Sequence, residues 1–324
     1  MNTSYVMSSS PHMRSDETVT KIMRDVIIAL VPAGVIGVYF FGPRALMHII
    51  ITVAACIASE WAYNKITKKG YNTIGDLSAV VTGILLAYNL PVAAPLWIGL
   101  VGGVFAIIVV KQFFGGLGQN FMNPALAARA FLFSWAVIMT TWTAPHTVLP
   151  LFATPATDAI ATATPLVALK AGEIPDAGLF NLFIGNVGGC IGETSALCLL
   201  IGGAYLVIRK VISVRIPLAY ILTVAVLTLI FAKGNNNLEF MLSHVLSGGL
   251  MLGAIFMATD YATSPVTKKG QIIFGIGCGL LTVFIRYFGS YPEGVSYSIL
   301  LMNACVWLID THTKPKAFGE GAKK

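Results

Sequence analysis

The chain has 324 residues, 56% of them hydrophobic and only 11% charged, with a formal net charge of +7. Soluble globular domains carry about 25% charged residues, so this chain has too little polar surface to cover a water-facing body. That excludes an ordinary soluble domain and points to an integral membrane protein. The positive charge is expected in short loops on one membrane side. It does not signal a nucleic-acid surface, because no basic patch with interleaved aromatics occurs.

Residues 1–25 are polar and mixed in charge, unlike a signal peptide. Apolar runs then fall at 26–41, 45–61, 79–90, 93–110 and 124–140. A second set falls at 194–208, 217–231, 245–258, 272–287 and 296–309. A weaker piece at 179–187 lies at the surface or leads into the sixth run. The five cysteines, Cys56, Cys190, Cys198, Cys278 and Cys305, sit in apolar segments with no C-x-x-C pair. Neither a zinc site nor a Cys-ligated iron–sulfur cluster built by this chain alone is expected.

Ten spans put both termini on one side. With the N-terminus in the cytoplasm, sixteen of the 21 Lys and Arg, Lys111 among them, lie inside. Arg44, Lys170, Lys233 and Arg286 lie outside, and Arg129 falls within a span. This asymmetry favours cytoplasmic termini and sets the long loop 141–192 on the outer face.

The two sets of five resemble each other. Ser78-Ala-Val-Val-Thr-Gly83 is similar to Ser243-His-Val-Leu-Ser-Gly248, each opening the third run of its half. Lys111-Gln-Phe-Phe-Gly-Gly116 is similar to Ile285-Arg-Tyr-Phe-Gly-Ser290, each following the fourth. Five spans per half invert the second half, the plan of many transporters. The third and eighth runs are shorter than the roughly 20 residues that a straight span needs. They suggest half-helices whose free N–H and C=O groups end inside the membrane. The expectation is an all-α integral membrane fold of about ten transmembrane helices, an inverted 5+5 repeat with two short or broken helices. Its parts are a cytoplasmic segment 1–25, a first repeat 26–140, an outer-face loop 141–192, a second repeat 193–310 and a cytoplasmic tail 311–324.

Seven threonines stand between Thr141 and Thr164. Their composition alone reads as a solvated loop. The order Asp158-Ala-Ile-Ala-Thr-Ala163-Thr164-Pro165-Leu166, however, resembles the flavinylation motif of the NqrB/RnfD family. Ala161 and Thr162 depart from the hydroxyl and the Gly or Ser usual there. Phe114-Gly-Gly-Leu-Gly-Gln-Asn120-Phe-Met-Asn123-Pro124-Ala125 with Ala128-Arg129 resembles the family signature around the fifth span. Ser10-Pro11-His12 and Lys21-Ile-Met-Arg-Asp-Val26 resemble its N-terminal lead-in. The likeness covers most of the chain.

This resemblance implies covalent FMN joined to Thr164 through a phosphoester by a flavin transferase. Asp158 would help that enzyme place its metal or deprotonate Thr164. Thr164, Asp158, Ala163, Arg129 and Asn123 are thus the candidate cofactor-binding residues, and Pro165 is expected to hold the segment extended and accessible. The resemblance further implies an electron-transfer subunit, not catalytic alone, of a bacterial inner-membrane complex that couples ferredoxin/NAD electron transfer to Na⁺ or H⁺ translocation. Its partners would be other Rnf-type subunits and the lipid membrane. A second, non-covalent flavin such as riboflavin is also implied.

Other residues have blander readings. Gly115-Gly-Leu-Gly118 lacks the strand–turn–helix context of a nucleotide loop and reads as a tight turn. Arg129 in an apolar run should face a flavin ring or phosphate, pair with a carboxylate or snorkel to the interface, since an unpaired charge there costs roughly 2.5–3.5 kcal/mol. Glu60 and Glu193 read as interfacial, and Asp260 as part of an inner loop. A passive transporter or channel, or a cofactor-free scaffold, would share the apolar pattern and lack flavin.

Overall fold

A computed structural model describes residues 17–67, 73–147, 149–152, 164–232, 236–291 and 293–315. Every regular element among them is helical, and an antiparallel bridge joins Pro91 to Cys190. Each of the ten apolar runs falls on a helix or a bent helix pair. In chain order these are α1 (Val19–Phe41), α2 (Pro43–Ile66), α3 (Ser78–Tyr88), α4 (Leu96–Gln112) and α5 (Pro124–Met139). Two short outer helices follow, α6 (Pro165–Ala171) and α7 (Gly178–Ile184). The rest are α8 (Ala196–Ile208), α9 (Arg215–Ile230), α10 (Asn237–Leu246), α11 (Leu250–Met257), α12 (Lys268–Phe288) and α13 (Val295–Thr313). Among the described residues α1, α2 and α12 are long and apolar enough to cross a membrane, and the α10–α11 pair joins them if it counts as one bent span.

Local sequence sets the ends. Thr18 caps α1, its hydroxyl accepting from Lys21 N at 3.3 Å. Gly42 ends α1 with φ +76°, a conformation that suits glycine, and Pro43 then opens α2 at once. The first α1 turns carry Lys21, Arg24 and Asp25, which is why the helix begins ahead of its apolar run. Asp25 is buried and accepts from Tyr205 Oη at 3.1 Å and Arg209 Nη2 at 3.1 Å, tying α1 to the end of α8.

Two elements are broken. The 11 residues of α3 rise about 16 Å, roughly half of a 30 Å hydrocarbon core. The α10–α11 pair bends by 61° at Ser247-Gly248-Gly249. The last turns of α4 from Phe105, and α11 from Gly253, take the wider π geometry. Such turns are rare and often lie near functional sites.

In both sets of five the second helix packs on the third and fourth. In the first, α2 lies against α3 and α4; in the second, α9 lies against α10 and α12. The fourth helix of each half brings two glycines, four residues apart, onto the second. A Cβ at Gly99 would run into Thr52 Oγ1, and one at Gly103 would meet Cys56 Sγ at 3.2 Å. At Gly275 it would meet Ala219 Cβ at 2.8 Å, and at Gly279 Thr223 Cβ at 2.6 Å. Small residues at this spacing let helices touch backbone to backbone where lipid offers no hydrophobic drive. The halves meet where α1 lies along α8 and α5 lies against α13. Large apolar side chains such as Val35, Ile50, Phe284 and Trp307 face outward, while Arg44, Glu60, Lys111, Arg129 and Arg286 are buried.

Candidate functional site

Helix α3 stops at Asn89-Leu90-Pro91, and its exposed end is met by the stretch before α8. Ile191 N donates to Leu90 O and Gly192 N to Tyr88 O, both at 3.1 Å, and the Cys190 thiol donates to Asn89 O at 3.3 Å. These partners satisfy backbone groups that a broken helix would otherwise leave bare in an apolar interior.

Arg129 reaches this junction from α5. Its Nη1 donates to Asn89 Oδ1 at 2.6 Å and to Ser296 Oγ at 3.1 Å. Its Nη2 donates to Glu293 and faces Cys190 Sγ at 3.7 Å. Glu193 Oε2 stands 3.9 Å from Nη1. The second break closes over the same group, since a Cβ at Gly249 would lie 2.9 Å from Glu193 Oε2 and 3.7 Å from Arg129 Nη1. The guanidinium therefore sits between the two broken elements and ties the end of α3 to α5 and α13. Among the expectations for Arg129, a carboxylate partner is seen. Cys190, Glu193 and Glu293 offer ligand atoms within 4.8 Å of one another, but Arg129 already lies among them as their counter-cation.

Thr164 opens α6 from an extended conformation, φ −73° and ψ 152°, with Pro165 at the first helical position. Its side chain makes no capping hydrogen bond. It is only 6% exposed, so the expected accessibility is not seen. The reason is that Pro165 starts a helix that seats Leu166 and Leu169 against Phe240. Thr164 lines a small pocket with Glu193, Thr194, Ser247, Gly248 and Glu293. Asp158 and Ala163 lie outside the described residues.

Thr164 and Arg129 thus share a site through Glu193 and Glu293, whereas Asn123 belongs elsewhere. Asn123 caps α5, its Oδ1 accepting from Ala125 N at 3.0 Å and Leu126 N at 3.3 Å. Its Nδ2 donates to Met257 O at 3.3 Å. It lines a larger, partly open pocket together with Ser78, Lys111, Asn120, Asp260 and Tyr261. The turn before it keeps its tight-turn expectation: Gly115, Gly116 and Gly118 all have positive φ.

Five expectations about charge change, and two of them concern Arg44 and Arg286, expected on the outer face and found buried. Glu60 is buried, not interfacial, and accepts from Lys111 Nζ at 3.1 Å, Gln112 Nε2 at 3.0 Å and Thr73 Oγ1 at 2.7 Å. Lys111, assigned to an inner loop, is inside the helix bundle and also donates to Ser78 Oγ at 2.6 Å. Glu193 is buried at the Arg129 junction. Sequence reading passed over Glu293, Asn89 and Ser296. The available signal was the arithmetic of charge: Arg129 in an apolar run needs an acid, and the chain has only 14 Asp and Glu to choose from.

Known proteins bear on this geometry. The family described as NQR2, RnfD, RnfE matches residues 6–319. The chain is 54% identical over 317 residues to the D subunit of the Na⁺-translocating ferredoxin:NAD⁺ oxidoreductase complex of Acetobacterium woodii, covering 97% of this chain and 95% of that one. It is 45% identical over 328 residues to the D subunit of the proton-translocating ferredoxin:NAD⁺ oxidoreductase complex of Clostridium ljungdahlii, covering 97% and 96%. It is 40% identical over 334 residues to the D subunit of the ion-translocating oxidoreductase complex of Stutzerimonas stutzeri, covering 94% of each. With the match running through both halves and across both broken elements, the chain belongs to the NQR2, RnfD, RnfE family.

Proposed function

We propose that this chain is the D subunit of a bacterial, membrane-bound, ion-translocating ferredoxin:NAD⁺ oxidoreductase complex, and that it carries FMN esterified to Thr164. The family match and the relatives' names support the first part. One observation carries the second: Thr164 presents a hydroxyl with no capping bond to a pocket at the second broken element, beside a buried Arg–Glu cluster. A bound flavin supplies one- and two-electron exchange, and the protein's part is to hold it and set its surroundings. Thr164 fixes the attachment point, and α6, docked on α10 and α12, fixes the orientation. Because Thr164 is sealed once α6 is seated, the transferase acts before that docking.

The finer architecture belongs to the same proposal. Ten spans form an inverted 5+5 repeat, with cytoplasmic termini and the Thr164 loop on the outer face. Its supports are the matched glycine pairs of α4 and α12 and the two broken third elements. A cation of each half also reaches its third element. Lys111 donates to Ser78 Oγ, and Arg286 donates to His244 O and Ser247 O. The larger cavity between the halves, apolar with a polar rim, is the candidate place for a second, non-covalent flavin such as riboflavin. Partners are the other subunits of such a complex.

The test is fluorescence of the denatured protein on a gel after expression with an active flavin transferase. A band present in wild type and absent in Thr164→Val is expected. A dark wild-type band removes the flavin and favours a passive transporter, which the broken helices also fit.

A further inference from the structure

We propose that Ser247 and Arg286 receive the phosphate of the flavin carried on Thr164. The inference rests on the Thr164 reading above and adds to it the opposite wall of the pocket.

Ser247 lines the Thr164 pocket, is 2% exposed, and its Oγ has no hydrogen-bond partner. A buried hydroxyl without a partner is uncommon, and this one borders the space beside Thr164. Arg286 lies directly behind the next residue: a Cβ at Gly248 would stand 3.6 Å from Arg286 Nη2. The same position would meet Leu166 Cδ1 at 2.6 Å, so Gly248 touches both the Thr164 helix and the arginine. Its φ of +67° favours glycine, so residue 248 places no side chain of its own between the pocket and the guanidinium.

Arg286 is also short of an anion. It is buried, and its Nη1 and Nη2 donate to the main-chain oxygens of His244 at 2.5 Å and Ser247 at 3.1 Å. Its Nε has no partner. Among the described residues the acids that pair directly with cations pair with Lys111, Arg129 and Arg209. The two nearest acids turn to Arg129: Glu293 bonds its Nη2, and Glu193 lies 3.9 Å from its Nη1. Buried cations are normally paired, and a planar guanidinium with donors to spare suits a phosphate better than any other side chain does. A phosphodiester on Thr164 brings one negative charge and bare acceptor oxygens to this wall.

The scaffold is firm enough for the role. Helix α6 packs on α10 and α12, and Lys170 Nζ donates to Gly289 O at 2.6 Å just beyond the end of α12. Thr164 and Arg286 therefore sit on elements tied together at both ends of the short helix.

The experiment uses the full chain, expressed with an active flavin transferase and purified in a phosphorus-free detergent. Wild type is compared with Arg286→Gln, Arg286→Lys and Ser247→Ala. Gel fluorescence reports whether Thr164 is modified, and ³¹P NMR reports what surrounds the phosphate. The folded wild-type resonance is expected to be displaced from its position in the denatured protein. Arg286→Gln should return it to that position, Ser247→Ala should move it part of the way, and Arg286→Lys should retain part of the displacement. A fluorescent band with one unchanged resonance in wild type, Arg286→Gln and Ser247→Ala overturns the proposal and leaves the Thr164 attachment standing. A dark wild-type band overturns the attachment itself, and this proposal with it. Should Arg286→Gln fail to accumulate, Ser247→Ala decides alone: an unmoved resonance rejects the assignment.

Discussion

Arg129 on α5 and Glu293 in the turn before α13 form a direct ion pair, with side chains only 2% and 12% exposed. Glu193 completes the group from the stretch before α8. Three segments distant in sequence are thereby joined at the meeting point of two broken helices. The arrangement makes Arg129 a keystone for the junction as much as a neighbour of Thr164.

Replacing Arg129 by Gln leaves Glu193 and Glu293 facing each other in a low-dielectric interior. Removing one partner of a buried pair costs about 3–5 kcal/mol. Arg129→Gln should therefore lower the thermal unfolding temperature in detergent sharply. Adding Glu293→Gln should recover part of that loss, because it removes an uncompensated charge. An Arg129→Gln protein as stable as wild type would mean that the pair does not hold the junction.

Glu60 and Lys111 make the equivalent tie at the start of α3. The pair is 3.1 Å apart with side chains 0% and 2% exposed. Lys111→Met should destabilise by about 3–5 kcal/mol, since it strands Glu60 among Gln112 and Thr73. The double change Glu60→Leu with Lys111→Met should cost less than either single change, as replacement of a whole buried pair by apolar groups often does. Thermal melts of the three variants give the comparison directly. A double variant that is worse than both singles would show that other members of the network carry the stability.

Much of this fold was legible because lipid imposes one rule on every span. In lipid, backbone groups must be satisfied within the helix, so membrane helices show as apolar runs; all ten runs lie on helices, and among the described residues three helices are long and apolar enough to cross a membrane. The two short runs are the two broken elements for the same reason: only polar or glycine-rich residues such as Asn89, Ser247 and Gly248 can sit where a helix stops inside. What the runs hid was polar chemistry between them. Glu293 stands in Ser290-Tyr-Pro-Glu-Gly294, which reads as a solvated turn until α5 brings Arg129 to it. Lys111 and Glu60 each look like the charged end of a span, and only the packing of α2 on α4 turns them inward. Thr164 was found by motif, while its burial depends on Leu166 and Leu169 finding Phe240 far along the chain.

Tyr88 offers a local test of the first break. Its hydroxyl donates to Leu30 O at 2.8 Å, linking the end of α3 to α1. Tyr88→Phe removes one buried hydrogen bond, and the net loss should be about 1 kcal/mol. Gly192→Ala should cost more than that, because its Cβ would run into the Tyr88 ring and the pairing of Gly192 N with Tyr88 O leaves little room to retreat. Urea or thermal titration of the two variants should rank them in that order, and the reverse order would show that the junction yields more easily than its packing implies.

The paired glycines test whether the halves are built alike. Gly103 on α4 and Gly279 on α12 each press on the second helix of their own half, at Ala55 and Cys56 and at Tyr220 and Thr223. A side chain at either position must push the two helices apart, and overpacking of this kind typically costs about 1–3 kcal/mol. Neither site has room for leucine, so Gly103→Leu and Gly279→Leu should each lower stability. The second should be the harsher, because Thr223 Cβ would lie 2.6 Å from the new Cβ, whereas Gly103 meets Ala55 Cβ at 3.1 Å. Alanine separates the sites further: Gly103→Ala can be absorbed by shifts of a few tenths of an ångström, while Gly279→Ala must move a β-branched threonine whose χ1 is stiff in a helix. Thermal melts of the four single variants, each made in the full chain, supply the measurement. Wild-type stability with leucine at both positions would mean that the close approach of the fourth helix to the second does not hold either half together.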